Sequence, residues 1–232
     1  MEDRDAVVRV FGLFRCICRN KYVHERIRNM NDYKIERINK RDCADFLAKY
    51  HYLSRQGYSF RSGRNYGLYD EDKLIGVAVF HTVSAWETVK GCFGLLNKEQ
   101  AGFWELGRLA MDPECKEKNL TSWFLARTLK MLRQDVRPRA VITYADAEYH
   151  HGYIYQACNF TYHGLTAKKT DAWVKQPDGT FKKCGRGRPR GENVVVEWRP
   201  RSRKHRYLKV YDKKLCTLWP TMPYPKGNNT EY

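Results

Sequence analysis

Hydrophobic and polar positions repeat along the chain with two different periods, which divide the middle of the sequence into strands and helices. Apolar residues at every second position, or in short unbroken runs, predict strands at 33–38, 66–69, 74–83, 104–111, 140–145 and 160–165. Apolar residues at helical spacing predict helices at 40–50, from 119 or 121 to just before Pro138, and at 152–158. We expect the remaining stretch, 84–103, to be an insertion that forms part of a binding wall.

The pattern changes after residue 168. A Gln-Pro-Asp-Gly turn at 176–179 predicts a hairpin of strands 172–175 and 180–183, and two basic strands are predicted at 193–198 and 206–211. We therefore divide the chain into an N-terminal extension (1–32), an α/β domain of mixed sheet and flanking helices (33–168), and a basic, β-rich C-terminal extension (169–232).

Charge is the strongest compositional signal. The formal net charge is +17, and residues 182–214 carry thirteen Lys and Arg against three acidic residues. Such an excess is typical of proteins that bind a polyanion. Nucleic acid is the preferred partner over an anionic membrane, because no basic amphipathic helix or membrane-spanning apolar run is present. We expect a cytoplasmic protein without a secretory signal, in the host cell if a phage encodes it. A homodimer is compatible with the sequence.

The eight cysteines do not predict a metal site. Cys16 and Cys18 are one residue apart, the other six are single, and no C-x-x-C pair exists. In the cytosol these thiols are expected to stay reduced.

The order of the predicted elements between 33 and 165 resembles the GNAT acyltransferase fold. That resemblance implies a mixed sheet that splays between the strands 104–111 and 140–145, with the donor bound near the N-terminus of the next helix. The residues there are Asn119, Thr121 and Ser122, which we take as cofactor-binding. GNAT enzymes carry a glycine-rich turn at this position, and this chain has no glycine from 117 to 122.

Short motifs carry a second, more specific resemblance. They are Tyr-His-Tyr-Leu-Ser at 50–54, Glu-Leu-Gly-Arg-Leu at 105–109, Asn-Leu-Thr-Ser-Trp-Phe-Leu at 119–125, Tyr-Ala-Asp at 144–146 and the block 150–160. Together they resemble the Mom family of DNA adenine modification proteins, known from bacteriophage Mu. The resemblance implies an enzyme that converts adenine N6 to a carbamoylmethyl derivative, which protects DNA from restriction. It also implies bound iron and acetyl-CoA or a related donor. The segment between Asp146 and Tyr155 is one residue shorter than the family leads us to expect.

The candidate catalytic residues follow from these motifs. Asp146, at the end of a buried strand, suits a hydrogen bond from the adenine amino group, although a strand-end Asp is also a common loop cap. Tyr52, Tyr66, Trp104 and Tyr155 are candidates to stack on a flipped-out base, and each is equally consistent with a core residue. Imidazole, carboxylate and phenolate suit iron, so the metal candidates are His51, Tyr52, Asp146 and Tyr155. Arg108 lies within a strand and needs an anion: donor phosphate, DNA phosphate or Glu105.

The DNA-binding candidates lie in the basic extension. Arg-Gly-Arg-Pro at 186–189 resembles the core of an AT-hook, a thin extended segment that places arginines in the minor groove. The same residues are also consistent with a basic, flexible loop between two strands. The aromatic and basic run at 198–207 suits phosphate contacts along duplex DNA. The candidates are Arg186, Arg188, Arg190, Arg201, Arg203, Lys204 and Arg206.

Three functions are consistent with the sequence. The first is a Mom-like transferase that modifies adenine in DNA. The second is a GNAT N-acetyltransferase that acts on another nucleic-acid amine. The third is a non-catalytic DNA-binding protein built on a GNAT scaffold. The missing glycines argue against the second, and the polar residues around Asp146 argue against the third.

Overall fold

The computed structural model describes residues 30–52, 59–184 and 194–227. Its main sheet has seven strands, which in chain order are β1 (Lys34–Arg37), β2 (Arg64–Asp70), β3 (Lys73–Thr82), β4 (Phe103–Met111), β5 (Ala140–Asp146), β6 (Thr161–Leu165) and β10 (Lys204–Val210). Their order across the sheet is β1-β2-β3-β4-β5-β10-β6. All neighbours are antiparallel except β4 and β5, which run parallel.

Within the described ranges, the α-helices that accompany the sheet are α1 (Lys40–Tyr50), α2 (Trp86–Phe93), α3 (Leu120–Val136) and α4 (Tyr153–Ala157). Short 3-10 turns occupy Met30–Asp32 and Asn97–Glu99. The Asn39 side chain accepts a 2.9 Å hydrogen bond from the amide of Asp42 and so caps α1. Helix α2 lies inside the predicted insertion 84–103. The pattern missed it because it has eight residues and no side-chain cap.

The central strand β3 shows why both faces of the sheet are covered. Val77 and Val79 point to one face and pack with α1 through Cys43, Phe46 and Leu47. Ala78 and Phe80 point to the other face and pack with α3 through Phe124 and Leu125. Side chains alternate along a strand, so an unbroken apolar run of this kind requires a helix on each face. The predicted fold class, a mixed α/β sheet flanked by helices, is confirmed.

The chain after β6 leaves the main sheet and then returns to it. It first forms a three-stranded antiparallel sheet of β7 (Thr170–Lys175), β8 (Phe181–Lys183) and β9 (Val196–Pro200), in the order β8-β7-β9. We call this the small sheet. The chain then re-enters the main sheet as β10, between β5 and β6. The last strand of the basic extension is therefore a strand of the main sheet, beside the strand that ends in Asp146.

None of the helices in the described ranges 30–52, 59–184 and 194–227 is both long and apolar enough to cross a membrane.

Candidate active site

Strands β4 and β5 separate part of the way along their length. They pair only from Phe103 opposite Ala140 to Leu106 opposite Thr143. At the same point β4 shifts its register against β3, and Gly107 is the residue left without a partner. A bulge of this kind bends its strand, so β4 turns away from β5 here. We call the gap between residues 107–111 of β4 and 144–146 of β5 the wedge. The predicted splay is confirmed.

The bulge depends on a glycine. A Cβ at Gly107 would collide with the imidazole of His81, whose Nε2 and Cδ2 are the nearest atoms. His81 is buried, and its Nδ1 lies 2.8 Å from the carbonyl oxygen of Thr82. The imidazole therefore approaches the backbone of β4 as closely as only a glycine allows.

Asp146 lies at the open end of the wedge and is 9% exposed. Its Oδ1 accepts a 3.2 Å hydrogen bond from the amide of Glu148 and another from the hydroxyl of Ser202. No described residue donates a hydrogen bond to Oδ2. One carboxylate oxygen is thus held by the protein, and the other remains for a ligand.

Tyr52 lies beside this carboxylate. Burial, and next the negative charge of Asp146, raise the pKa of Tyr52 to about 12, so its phenol keeps its proton at neutral pH. The ring stacks on His51 with 4.8 Å between centroids and lies 4.7 Å from the ring of Tyr149, which is exposed. The wedge therefore has an aromatic wall that ends at the surface.

Arg108 and His51 contribute a cation and a neutral imidazole. Nη1 of Arg108 donates to the carbonyl oxygen of Gly107 at 2.7 Å, and no described carboxylate lies within ion-pair distance of the guanidinium. The predicted internal pair with Glu105 is therefore not formed. Burial, and next the charge of Arg108, lower the pKa of His51 to about 4.

Tyr155 reaches the wedge from α4. It is buried, shares a hydrogen bond with Thr143, and its ring lies 5.4 Å from that of Tyr207. Burial raises the pKa of Tyr155, and its phenol is close enough to affect the pKa of Tyr52. Asp146, Tyr155 and Arg108 all lie close enough to Tyr52 to affect its pKa. Tyr66 does not join them: it is fully buried on β2 and donates a 2.8 Å hydrogen bond to Asp135.

A group of residues near Asp146 was not predicted. His205 lies with its Nδ1 2.8 Å from the hydroxyl of Tyr162 and its Nε2 3.4 Å from Nδ1 of His151. Burial, and next the charge of His151, lower the pKa of His205 to about 4. His150 is close enough for Asp146 to affect its pKa, which burial lowers. The His-His pair at 150–151 was a visible signal, whereas nothing in the sequence linked Ser202 or His205 to Asp146.

The predicted donor residues form the N-terminus of α3. Asn119 has the left-handed conformation (φ 66°) that a glycine would otherwise supply, and Asn is among the few residues that tolerate it. Its side chain does not cap the helix. Within the described part of the chain, the amides of Thr121 and Ser122 have no backbone acceptor. The turn therefore presents free N–H groups without a glycine, which fits a phosphate-bearing donor.

The described residues give no support for the proposed iron site. Across the described ranges, no three His, Cys, Asp or Glu side chains lie close enough together to hold an ion. His51 faces the cation of Arg108, and Tyr155 is tied to Thr143. A cation beside the proposed imidazole ligand would oppose a positive metal ion.

The predicted DNA-contacting residues of the basic run are largely engaged by the protein. Nε of Arg201 bonds Asp171 at 2.7 Å, and Nε of Arg203 donates to the carbonyl oxygen of Thr166 at 2.7 Å. Arg206 lies 4.5 Å over the ring of Trp219. Lys204 lies opposite Asp146 in the pairing of β10 with β5. Arg186, Arg188 and Arg190 are outside the described residues, so the AT-hook stays a prediction.

The fold and the site together define a mixed α/β protein whose parallel strand pair opens onto a carboxylate, an arginine and an aromatic wall. The model of the Mom protein family matches residues 32–226, and the chain belongs to this family. The resemblance noted in the sequence is thereby confirmed. No curated protein matches the chain by sequence.

Several solved structures of acetyltransferases are similar to this chain. The IAA acetyltransferase from Bacillus cereus ATCC 14579 is 15% identical, covers 77% of this chain and 99% of its own, and has a TM-score of 0.48. A GNAT family acetyltransferase from Elizabethkingia anophelis with acetyl-CoA bound is 12% identical, covers 78% of this chain and 99% of its own, and has a TM-score of 0.46. A Bacillus subtilis acetyltransferase in complex with CoA is 14% identical, covers 77% of this chain and 99% of its own, and has a TM-score of 0.45.

Proposed function

We propose that this protein is a transferase that modifies the N6 amino group of adenine in duplex DNA, with a carbamoylmethyl group as the product. The observation that carries the proposal is the state of Asp146. Its Oδ1 is held by Ser202, which belongs to the basic extension, and no described residue donates a hydrogen bond to its Oδ2. A carboxylate placed between a strand opening and a cationic segment suits an amine substrate that belongs to a polyanion.

The reaction requires the site to orient the amino group, to accept a proton from it and to hold the electrophilic carbon of the donor beside it. The lone pair of adenine N6 is delocalised into the ring, so the amino group must be oriented and must lose a proton as it reacts. Oδ2 of Asp146 accepts that proton while N6 forms a bond to the electrophilic carbon of the donor, whose leaving group departs with the bonding electrons. Tyr52, protonated at neutral pH, is placed to donate a hydrogen bond to the group that gains charge.

An adenine inside a duplex is out of reach, so the base must be flipped out of the stack. The wall of His51, Tyr52 and Tyr149 offers aromatic faces from the interior of the wedge to the surface. A flipped base can stack there with its amino group toward Asp146. Arg108 is left to bind an anion, which on this proposal is a phosphate of the donor or of DNA.

To balance the reaction, the donor must carry the carbamoylmethyl group on a leaving group, and such a compound, bound by its phosphates as acetyl-CoA is, would lie along β4. Beyond Leu106, the edge of β4 that faces the wedge pairs with no strand of the described chain, so its N–H and C=O groups are available. The free amides of Thr121 and Ser122 suit the phosphates of such a donor. The proposal routes no step through iron. The modified base would shield DNA from restriction nucleases.

The test is to express the protein in cells, digest their DNA to nucleosides and weigh them. We expect a deoxyadenosine heavier by one carbamoylmethyl group. The matched control pair is Asp146→Asn, which removes the base, and Asp72→Asn, the same change at an exposed turn between β2 and β3. Modification should disappear with the first variant and persist with the second.

The other outcomes separate the alternatives. A nucleoside heavier by an acetyl group, or a change on cytidine or thymidine, would replace the proposal with acetylation or modification of another amine. If the nucleosides are unchanged when the purified protein is supplied with cell extract as the source of donor, the protein is a DNA-binding protein without this activity.

A further inference from the structure

The two faces of the small sheet differ in how their charged and aromatic side chains are satisfied. On one face, the guanidinium of Arg199 lies 4.5 Å over the ring of Trp173 and 5.2 Å over that of Phe181, and it pairs with Glu197. The same face holds Asp171, which pairs with Lys183 and Arg201. Of the charged side chains on this face, only Lys175 forms no ion pair within the described residues.

The opposite face carries groups that the protein leaves unused. Lys182 lies opposite Val174, and Trp198 opposite Ala172, so both project from the side of β7 that Arg199 does not occupy. Trp198 is 60% exposed, and within the described residues its ring contacts no other ring or cation, nor does Lys182 form an ion pair. We call this side the open face.

We propose that the open face docks duplex DNA and delivers it to the wedge, an inference that rests on the proposed function. Charge supports this occupant: Lys182 is a cation on the open face itself, and the segment around it, residues 168–184 and 194–206, carries ten Lys and Arg against three acidic residues. Shape supports it as well. Neighbouring strands lie about 4.8 Å apart, so three of them span roughly 10 Å, and the major groove of B-DNA is about 12 Å wide.

The small sheet and the wedge are joined by a short connection. Strand β9 ends at Pro200, and two residues later Ser202 bonds Asp146. Four residues extend at most roughly 14 Å, so Trp198 is within about that distance of Ser202 along the backbone. Duplex held on the open face thus lies next to the carboxylate. An exposed tryptophan there can insert its ring between two base steps, which lowers the cost of extruding a base.

The test measures binding without donor, so that it does not depend on chemistry. A short labelled duplex is titrated with wild-type protein and with Trp198→Ala, Lys182→Ala and the double variant, by fluorescence anisotropy at several salt concentrations. The matched control is Leu96→Ala with Lys98→Ala, an exposed apolar residue and an exposed lysine that precede β4, at the end of the sheet away from the wedge. Melting temperatures confirm that each variant is folded.

We expect the double variant to lose about tenfold in duplex affinity, and its salt dependence to fall by about one phosphate contact, with the control pair unchanged. Equal affinity for all proteins would overturn the inference. So would a loss confined to single-stranded DNA, or a wild-type dimer that Trp198→Ala dissociates at unchanged duplex affinity, because the open face would then bind single strands or a second copy.

The two proposals fail separately. If nucleosides from expressing cells are unmodified while duplex affinity depends on Lys182 and Trp198, docking stands and adenine modification does not. If deoxyadenosine is modified and these substitutions do not weaken duplex binding, only the docking inference is removed.

Discussion

The wedge and the small sheet differ in how far their polar side chains are exposed to solvent. The wedge buries them: Asp146 and His205 are less than a tenth exposed, and burial holds the imidazole of His205 neutral. On the open face of the small sheet, Lys182 and Trp198 are exposed, and neither has an internal partner among the described residues. Desolvation strengthens electrostatic interactions and suits bond making. Exposed cations suit the release of counterions from DNA. On the two proposals above, catalysis and DNA binding are carried by separate surfaces, which are joined at Ser202.

The sharpest separation of the two regions is expected from Asp146→Asn. The amide cannot accept the N6 proton, so turnover should fall by about 10²–10⁴-fold, while duplex affinity stays at the wild-type value because the small sheet is untouched. Single-turnover kinetics and anisotropy titration measure the two quantities. If duplex affinity falls as well, the wedge also binds DNA. If turnover is unchanged, Asp146 has no role in the mechanism.

A second prediction concerns the bulge that opens the wedge. Gly107→Ala sets a methyl group against the imidazole of His81, so we expect the free energy of unfolding to fall by about 1–3 kcal/mol with loss of activity. Denaturant titration measures it. His81→Ala in the same chain should recover part of the loss. If the double variant is no more stable than the additive sum of the single changes, the two side chains do not clash.

Acid should weaken the wedge before the small sheet. The folded pKa values of His51 and His205, about 4, lie below the ordinary value of 6.5, so between these pH values the unfolded chain binds protons that the folded chain does not. Stability is therefore lost as the pH falls through this window, on the order of 1–2 kcal/mol per imidazole near pH 5.

The small sheet follows a different course. Burial raises the pKa of Asp171, but hydrogen bonds from Arg201 and Lys183 outweigh it and leave the pKa below 3.8. Its ion pairs thus persist until the pH falls further. Melting temperatures from pH 7 to 4.5 test this, and His205→Asn should flatten the curve. A melting temperature that does not change over this range would contradict the neutral, buried imidazoles.

The smallest expected effect belongs to Ser202, the junction of the two regions. Ser202→Ala removes a hydrogen bond to Asp146, so we expect kcat to fall about fivefold, close to 1 kcal/mol, with duplex affinity unchanged. Ser202→Thr, which keeps the hydroxyl, should restore kcat. A loss of duplex affinity in Ser202→Ala that accompanies the loss of kcat would indicate a purely structural role.

Particular residues show how far the sequence predicted the site. Asp146, Tyr52, Tyr155 and Arg108 were identified from motifs next to predicted strands and helices, and they do meet at the wedge. Tyr66 was included for its residue type alone, and the structure ties it to Asp135 in the core. Ser202 and His205 were missed, because they reach Asp146 from more than fifty residues away and no spacing rule links such positions.

By itself the sequence determined the alternation of strands and helices, the basic C-terminal segment and the family motifs, because each of these depends on neighbours within a few residues. Only the tertiary structure decided that β10 lies beside β5, which sets the basic segment against the carboxylate. Only the tertiary structure left one face of the small sheet open. Strand pairing and burial depend on contacts between distant parts of the chain, and local periodicity does not encode which strands become neighbours.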